Sequence, residues 1–574
     1  MDNNNRNTRS EAEEFNAFNA SSAPAKEAKK RPQQKKAKGA PKKKGSFLKK
    51  IDKKIFIGIA IGLLVLLLVA GIVVFALSRD RHIMREDNAF LVYADADNHY
   101  HLLVNGNEIE KDFEGEVELK VAENNAFAYV IDRGEDGYYI YLLKGKKLEP
   151  ITQSGVGEPI AYAMLEPGVL YEDGDKIRLW NEDVGETTVA RLSNGAANFM
   201  ISGDASTIVY TEPDKNSTAQ VEFKLFRPSE GVEESLGSSK IVYTPERISN
   251  YGDYVYASFI KNDVKNLCVF KTNDLDELSG SPIAESDNFT QIIDINAKGD
   301  ELLFYTTKLS KNNELVASTM LFRYDHEEPT AELLLNNGIL SPKKVDPDIV
   351  YFDDFEDVYM TAGKPSDLTA RAIYRMDKYV PTKLANYKIA ADSVATDPSV
   401  IDPQERYLYY INEDQELIQM DLKDENHNVT ARIDDVQDFY ITQKGNIYFL
   451  ESEGTLRFRE ANKKRNNRIA EDVLDISFYR YANTLYYTKD EAASIFMTKE
   501  GSVEEPVKMD SAQVTSLPLF TETNCKQTYA ASYDTDNGGR IFFTANGKKF
   551  KQLTNDCEWI TYNNISSDLL DVLD

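Results

Sequence analysis

The hydrophobic and polar positions of this chain follow two regimes. From Ile55 to Leu77 the chain reads IFIGIAIGLLVLLLVAGIVVFAL, 23 residues without a charged side chain. As a helix this run is about 35 Å long, enough to cross a hydrocarbon core of about 30 Å with some tilt. Past Arg85 the pattern changes to short runs in which apolar and aromatic positions alternate with polar ones, separated by Gly, Asp and Asn. Alternation of period two bounded by such residues predicts half-buried strands joined by tight turns.

A frame recurs in the second regime. Ile201–Tyr210 (ISGDASTIVY) has an apolar opener, a polar turn and a closing apolar-x-aromatic triplet. It returns as Ile295–Phe304, Ile401–Tyr410 and Phe478–Tyr487 and, one residue shorter, as Val121–Tyr129, Ala163–Tyr171, Ile248–Tyr256 and Ile441–Phe449. Looser copies end at Tyr93, Tyr351 and Phe543. Each copy predicts a hairpin. A third strand commonly follows, as at Tyr138–Leu142, Ile177–Trp180, Lys224–Phe226, Met320–Phe322, Ile373–Met376, Leu417–Met420 and Ile495–Met497. A more polar fourth segment follows that, such as Lys147–Ile151. The units repeat at about 37–60 residues, the period of propeller blades, whose exposed faces are covered only by stacking on neighbours. The fold class is therefore all-β, a β-propeller of about eleven blade-like repeats. Rings typically hold four to eight blades. The reading accordingly divides the chain into a tail 1–54, a transmembrane helix 55–77, a first propeller 78–338 and a second propeller 339–574, with one eight-bladed ring of decorated blades as the alternative.

The frame ISGDASTIVY resembles the repeat of TolB-type, WD40-like bacterial propellers, in which a Ser-Pro-Asp-Gly-like turn links the first two strands. Leu408–Leu422 (LYYINEDQELIQMDL) is similar to repeats of membrane-anchored extracellular propellers of Gram-positive bacteria. The likeness covers residues from about 83 to 560. Gly203 stands where the family frame has Pro, and the Trp-Asp dipeptide is absent. The resemblance implies a fold and carries no functional residue across.

Charge adds an orientation. Residues 1–54 hold 16 Lys and Arg against 6 Asp and Glu, while the whole chain holds 67 against 94 for a net charge of -27. The span is uncharged, so the body beyond it carries -37. The excess of Lys before the span places the N-terminus in the cytoplasm and the body outside it, as a single-pass signal anchor. The tail has the composition of a disordered segment. Its Lys run either sets topology alone or also contacts anionic lipid. A body this acidic excludes nucleic acid as a partner, because phosphate binding needs Lys and Arg. Gly58 and Gly62 fit the small-xxx-small pattern of helix dimers, which makes a homodimer through the span a candidate.

Candidate chemistry is sparse. His99 and His101 lie on one strand face near Asp95 and Asp97, a candidate metal pair that lacks a third legible ligand; an exposed hairpin with incidental histidines is the favoured reading. Asp534–Gly539 and Asp95–Asn98 resemble the start of calcium loops but lack the closing Glu, and turns require Asp and Asn in any case. Asp346, Asp348, Asp353, Asp354, Glu356 and Asp357 form a denser acidic stretch, read first as a solvated loop. Cys525 and Cys557 are close enough in sequence to raise a disulfide, and Cys268 reads as core. No G-x-S-x-G, H-E-x-x-H, P-loop or G-x-G-x-x-G is present, so no catalytic residue and no cofactor is assigned, calcium being the one cation in view. The expected role is a membrane-integral binding or scaffold module of the cell envelope, with an extracytoplasmic protein or glycan as partner. A carbohydrate-active propeller using paired carboxylates and a sensor signalling through the span are the alternatives.

Overall fold

Each complete copy of the frame becomes the first hairpin of a sheet. The computed structural model describes residues 88–568 apart from 215–219, 274–279, 310–314, 325–330, 340–348, 351–357, 389–398, 490–494, 510–526 and shorter stretches of one to four residues. In the ten-residue copies the opener pairs with the first residue of the triplet: Ile201 with Ile208, Ile295 with Leu302, Ile401 with Leu408 and Phe478 with Leu485. The anticipated third strands all form, and Lys147–Pro150 is a fourth strand. Two looser copies are corrected. Phe90–Ala94, which contains Tyr93, pairs with Tyr100–Val104 and with Trp559–Tyr562, so it is not the closing strand of a local hairpin. Ile349–Val350 pairs forward with Val358–Lys364 as the first strand of its sheet, and Tyr351 itself lies outside the described residues.

The described residues form eleven sheets. Blades 2 to 10 span 116–150, 159–191, 197–236, 243–282, 289–339, 349–388, 399–433, 436–470 and 475–506, each of four antiparallel strands in chain order. Blade 11 joins Thr528–Asp534, Gly538–Thr544 and Lys549–Thr554 and adds Lys508–Met509 in parallel at its edge. Blade 1 is assembled from both ends of the body. Phe90–Ala94, Tyr100–Val104 and Asn107–Ile109 come from its start, Trp559–Tyr562 and Ile565–Asp568 from its end. The Phe90–Ala94 strand thus finds its inner partner far along the chain. Strands from both sides of residue 338 lie in this one sheet.

The core lies between successive blades. Phe223, Leu225, Val255 and Phe270 fill the space between blades 4 and 5, with Phe223 and Tyr243 each edge-on to Phe270. Comparable clusters join blades 1 to 6 in sequence, 8 to 10, and 11 to 1. Strand contacts link blade 6 to 7 and blade 7 to 8. The Tyr486 hydroxyl donates to Gly547 O at 2.7 Å, joining blade 10 to 11. The circuit of sheets therefore closes.

Two polar devices repeat within it. The residue after the frame opener is Ser202, Ser249, Asn296, Asp402 or Thr442, all buried. Its side-chain oxygen accepts the backbone N–H that begins the second strand: Thr207, Tyr254, Glu301, Tyr407 and Asn446 at 3.0, 3.0, 3.1, 2.5 and 3.1 Å. A turn that is buried between blades must satisfy its N–H groups internally, and these side chains do so. The second device is a buried tyrosine hydroxyl aimed at the following blade. Tyr129 reaches Gly168, Tyr256 reaches Gly299, Tyr448 reaches Gly501 and Tyr529 reaches Ala89 and Gly106. The last of these again ties blade 11 to blade 1.

Among the described residues no helix is long and apolar enough to cross a membrane. Ile55–Leu77, with Gly58 and Gly62, lies outside the described residues, as does the tail 1–54.

Candidate functional site

The histidine and aspartate candidates Asp95, Asp97, His99 and His101 lie at one place, the turn after the Phe90–Ala94 strand of blade 1 and the strand that follows it. Asp95 follows that strand and caps its own turn. Its Oδ1 accepts the backbone N–H of Asp97 at 3.0 Å and of His99 at 2.8 Å. Asn98 takes the left-handed conformation at φ 62° that the reversal needs and that Asn tolerates. The other carboxylate oxygen, Oδ2, lies 3.5 Å from His99 Nδ1 and 3.3 Å from His101 Nε2.

His101 is the more enclosed of the two histidines. Its Nδ1 is 2.7 Å from Glu108 Oε1, on the strand Asn107–Ile109. Its ring stacks on Tyr93, the residue paired with it across the sheet, with centroids 4.6 Å apart and planes 13° apart. Burial by itself would lower the His101 pKa. The hydrogen bonds and negative charge of Glu108 and Asp95 outweigh it and raise the value above the ordinary 6.5. Asp95 is held below its ordinary 3.8: burial pushes it upward, but the backbone N–H groups of His99 and Asp97 and the His101 ring prevail. Burial raises the Tyr93 hydroxyl to about 12.

This arrangement binds the turn to the end of the chain. Ala96 N–H donates to Asp556 Oδ1 at 3.1 Å, and Glu558 N–H donates to Ala94 O at 3.0 Å. Ala94 in turn pairs with Trp559.

The remaining candidates fare differently. His99 is exposed and shares Asp95 with His101, and among the described residues no group of three or more His, Cys, Asp and Glu is placed to hold a metal. Asp95 Oδ1 is taken up by the backbone of its own turn, and Oδ2 faces His99 and His101. Residues 535–537 of the second calcium-like turn and all six members of the acidic stretch from Asp346 to Asp357 lie outside the described residues. Cys525 does too, while Cys557 is buried in the core between blades 11 and 1 with Sγ 3.6 Å from Trp559 O. Cys268 is core, its Sγ 3.2 Å from Ala257 O, and burial pushes its thiol pKa well up.

Sequence reading missed Glu108 as the partner of His101, because the two lie on separate strands of the blade. It also missed the polar residue after the frame opener. Its signal was present: Ser, Asn, Asp or Thr recurs at the second position of five copies.

No family model matches the chain, and no curated protein matches it. Solved structures do resemble it. A eukaryotic initiation factor is 9% identical over 73% of this chain and 96% of that one, at a TM-score of 0.33. TolB from Acinetobacter baumannii is 11% identical over 53% and 80%, at 0.23. The β-propeller domain of the Trilobed protease from Pyrococcus furiosus, described as having an open velcro topology, is 11% identical over 62% and 97%, at 0.23. Scores this low assign no function. The strand pairing itself shows the class: an all-β chain of propeller type, built of eleven consecutive sheets, with strands from the start and end of the body sharing one of them.

Proposed function

We propose that the chain is a single-pass membrane protein whose propeller body, on the extracytoplasmic side, is a binding or scaffold module for a protein or glycan of the cell envelope. The anchor and orientation rest on Ile55–Leu77 and the Lys-rich segment before it. The observation that carries the binding role lies in blades 3 to 5. In an antiparallel blade the turn between the first two strands and the turn between the last two lie at the same end. Val184, Val232 and Tyr251 stand at that end of three consecutive blades and are 44%, 38% and 41% exposed. Large apolar side chains exposed at the same end of successive blades are a feature that contact surfaces share. Affinity capture from intact envelopes with the full-length chain, compared with a Val184→Asp/Val232→Asp/Tyr251→Asp variant, tests this. Recovery of one partner by the parent and not by the folded variant is expected; equal recovery by both overturns the assignment of this end.

A further inference from the structure

Blade 1 holds the circuit shut, and one titratable side chain lies at its hinge point. Val92, Tyr93 and Ala94 pair with Thr561, Ile560 and Trp559, so the first described strand is joined to the end of the body through few residue pairs. The turn that leaves this strand is organised by Asp95, and Ala96 of the same turn holds Asp556. Both nitrogens of His101 face carboxylate oxygens, Asp95 Oδ2 at 3.3 Å and Glu108 Oε1 at 2.7 Å. A neutral imidazole carries one N–H, so it can satisfy one of these oxygens and must turn a lone pair toward the other. Only the imidazolium donates to both.

We propose that His101 is a pH-sensitive latch on the closure of the blade circuit: as the imidazolium it clamps the Asp95 turn and Glu108 together beside the pairing of Val92–Ala94 with Trp559–Thr561, and on losing its proton it releases that junction. The groups facing it from the surrounding elements are Tyr93 of the first strand, Asp95 and His99 of the turn, and Glu108 of the third strand, with Asp556 of the 554–559 connection contacting the same turn. All but His99 are acidic or neutral, so the environment favours the charged ring.

The sign follows from the two shifts. The His101 pKa is raised on folding, so its contribution is complete below about 6.5 and fades as pH rises through the folded value. The Asp95 pKa is lowered, so its contribution is present above 3.8 and fades as pH falls through the folded value. The closure is tightest between these limits and loosens on the alkaline side. The loss is about tenfold in the opening equilibrium for each unit by which the folded His101 pKa exceeds the unfolded one.

The test is amide hydrogen exchange on the full-length chain in detergent, corrected for intrinsic rates, at pH 5.5 and 8.5. Segments 90–101 and 556–562 are expected to exchange several-fold faster at pH 8.5, while 197–211 of blade 4, which contains no histidine, stays level. His101→Gln is expected to abolish the step and His99→Gln to keep it. A step that survives His101→Gln, or that follows His99, overturns the proposal. Should His101→Gln fail to fold, proton NMR of the His101 ring in the unmutated protein decides: titration at or below 6.5 overturns the latch, and titration above it supports it.

Discussion

Replacing Tyr129 by Phe isolates the contact between blades 2 and 3. The Tyr129 ring is fully buried in the apolar cluster that joins these blades, and Phe keeps that packing. The hydroxyl accepts Gly168 N–H at 2.7 Å and faces the carbonyl oxygens of Ala163 and Gly168, both at 2.8 Å. Burial raises its pKa, so it stays protonated and can donate to one of the carbonyls while accepting the amide. Tyr129→Phe removes the oxygen and leaves Gly168 N–H without this acceptor in a site closed to water. Leaving such a group unsatisfied costs about 1–3 kcal/mol. That corresponds to about 5- to 150-fold faster exchange of the Gly168 amide where local opening governs exchange. Fluorescence of Trp180, which packs against the same cluster, follows the blade 2–3 boundary during guanidinium unfolding. Its midpoint is expected to fall, while Val184→Ala at an exposed turn changes it by less than about 0.5 kcal/mol in equivalent stability. Exchange at 163–168 unchanged in Tyr129→Phe, with an unshifted Trp180 midpoint, refutes the view that these hydroxyls tie one blade to the next.

Other consequences can be checked in the same way. Asp402→Ala removes the acceptor for Arg406 N–H at 2.7 Å and Tyr407 N–H at 2.5 Å; a loss of about 1.5–3 kcal/mol is expected from denaturant midpoints, against about 1 kcal/mol for Ser202→Ala with its neutral hydroxyl. Gly299 sits at φ +80°, and a Cβ there would come within 2.3 Å of Ser249 Cβ in the preceding blade, so Gly299→Ala is expected to lower the melting temperature clearly, by more than Gly145→Ala, where the φ is also positive but nothing lies within 4 Å. Cys268, with its thiol pKa pushed up and its side chain buried, is expected to resist iodoacetamide at pH 8 until denaturant is added, as read by peptide mass mapping.

Much of the fold was legible because a blade is a local object. Strand, turn and strand within about ten residues leave their period and punctuation in the sequence, so Ile201–Tyr210 and its complete copies identified hairpins that the structure forms. The copy ending at Tyr93 misled because an aromatic after an apolar residue marks a strand without saying which neighbour it pairs with. His99 and His101 were visible as a pair, but their roles differ for reasons outside the motif. Glu108 and the stacked Tyr93 enclose one ring, and nothing comparable encloses the other, which is largely exposed.

By itself the sequence determined the all-β class, the repeat and its eleven units, because alternation and turn chemistry act over a few bonds of chain. It also established the apolar run Ile55–Leu77 and the contrast of charge on its two sides, which are sums over residues and need no contacts. Tertiary structure alone decided how the series of sheets ends. The Phe90–Ala94 strand lacks a local inner partner, and its unpaired backbone groups are satisfied by Trp559–Tyr562, more than 450 residues away. No periodicity carries information over that distance. The enclosure of His101 was decided by the pairing of three neighbouring strands, which sets Tyr93 and Glu108 against its ring, while closure adds Asp556 to the Asp95 turn.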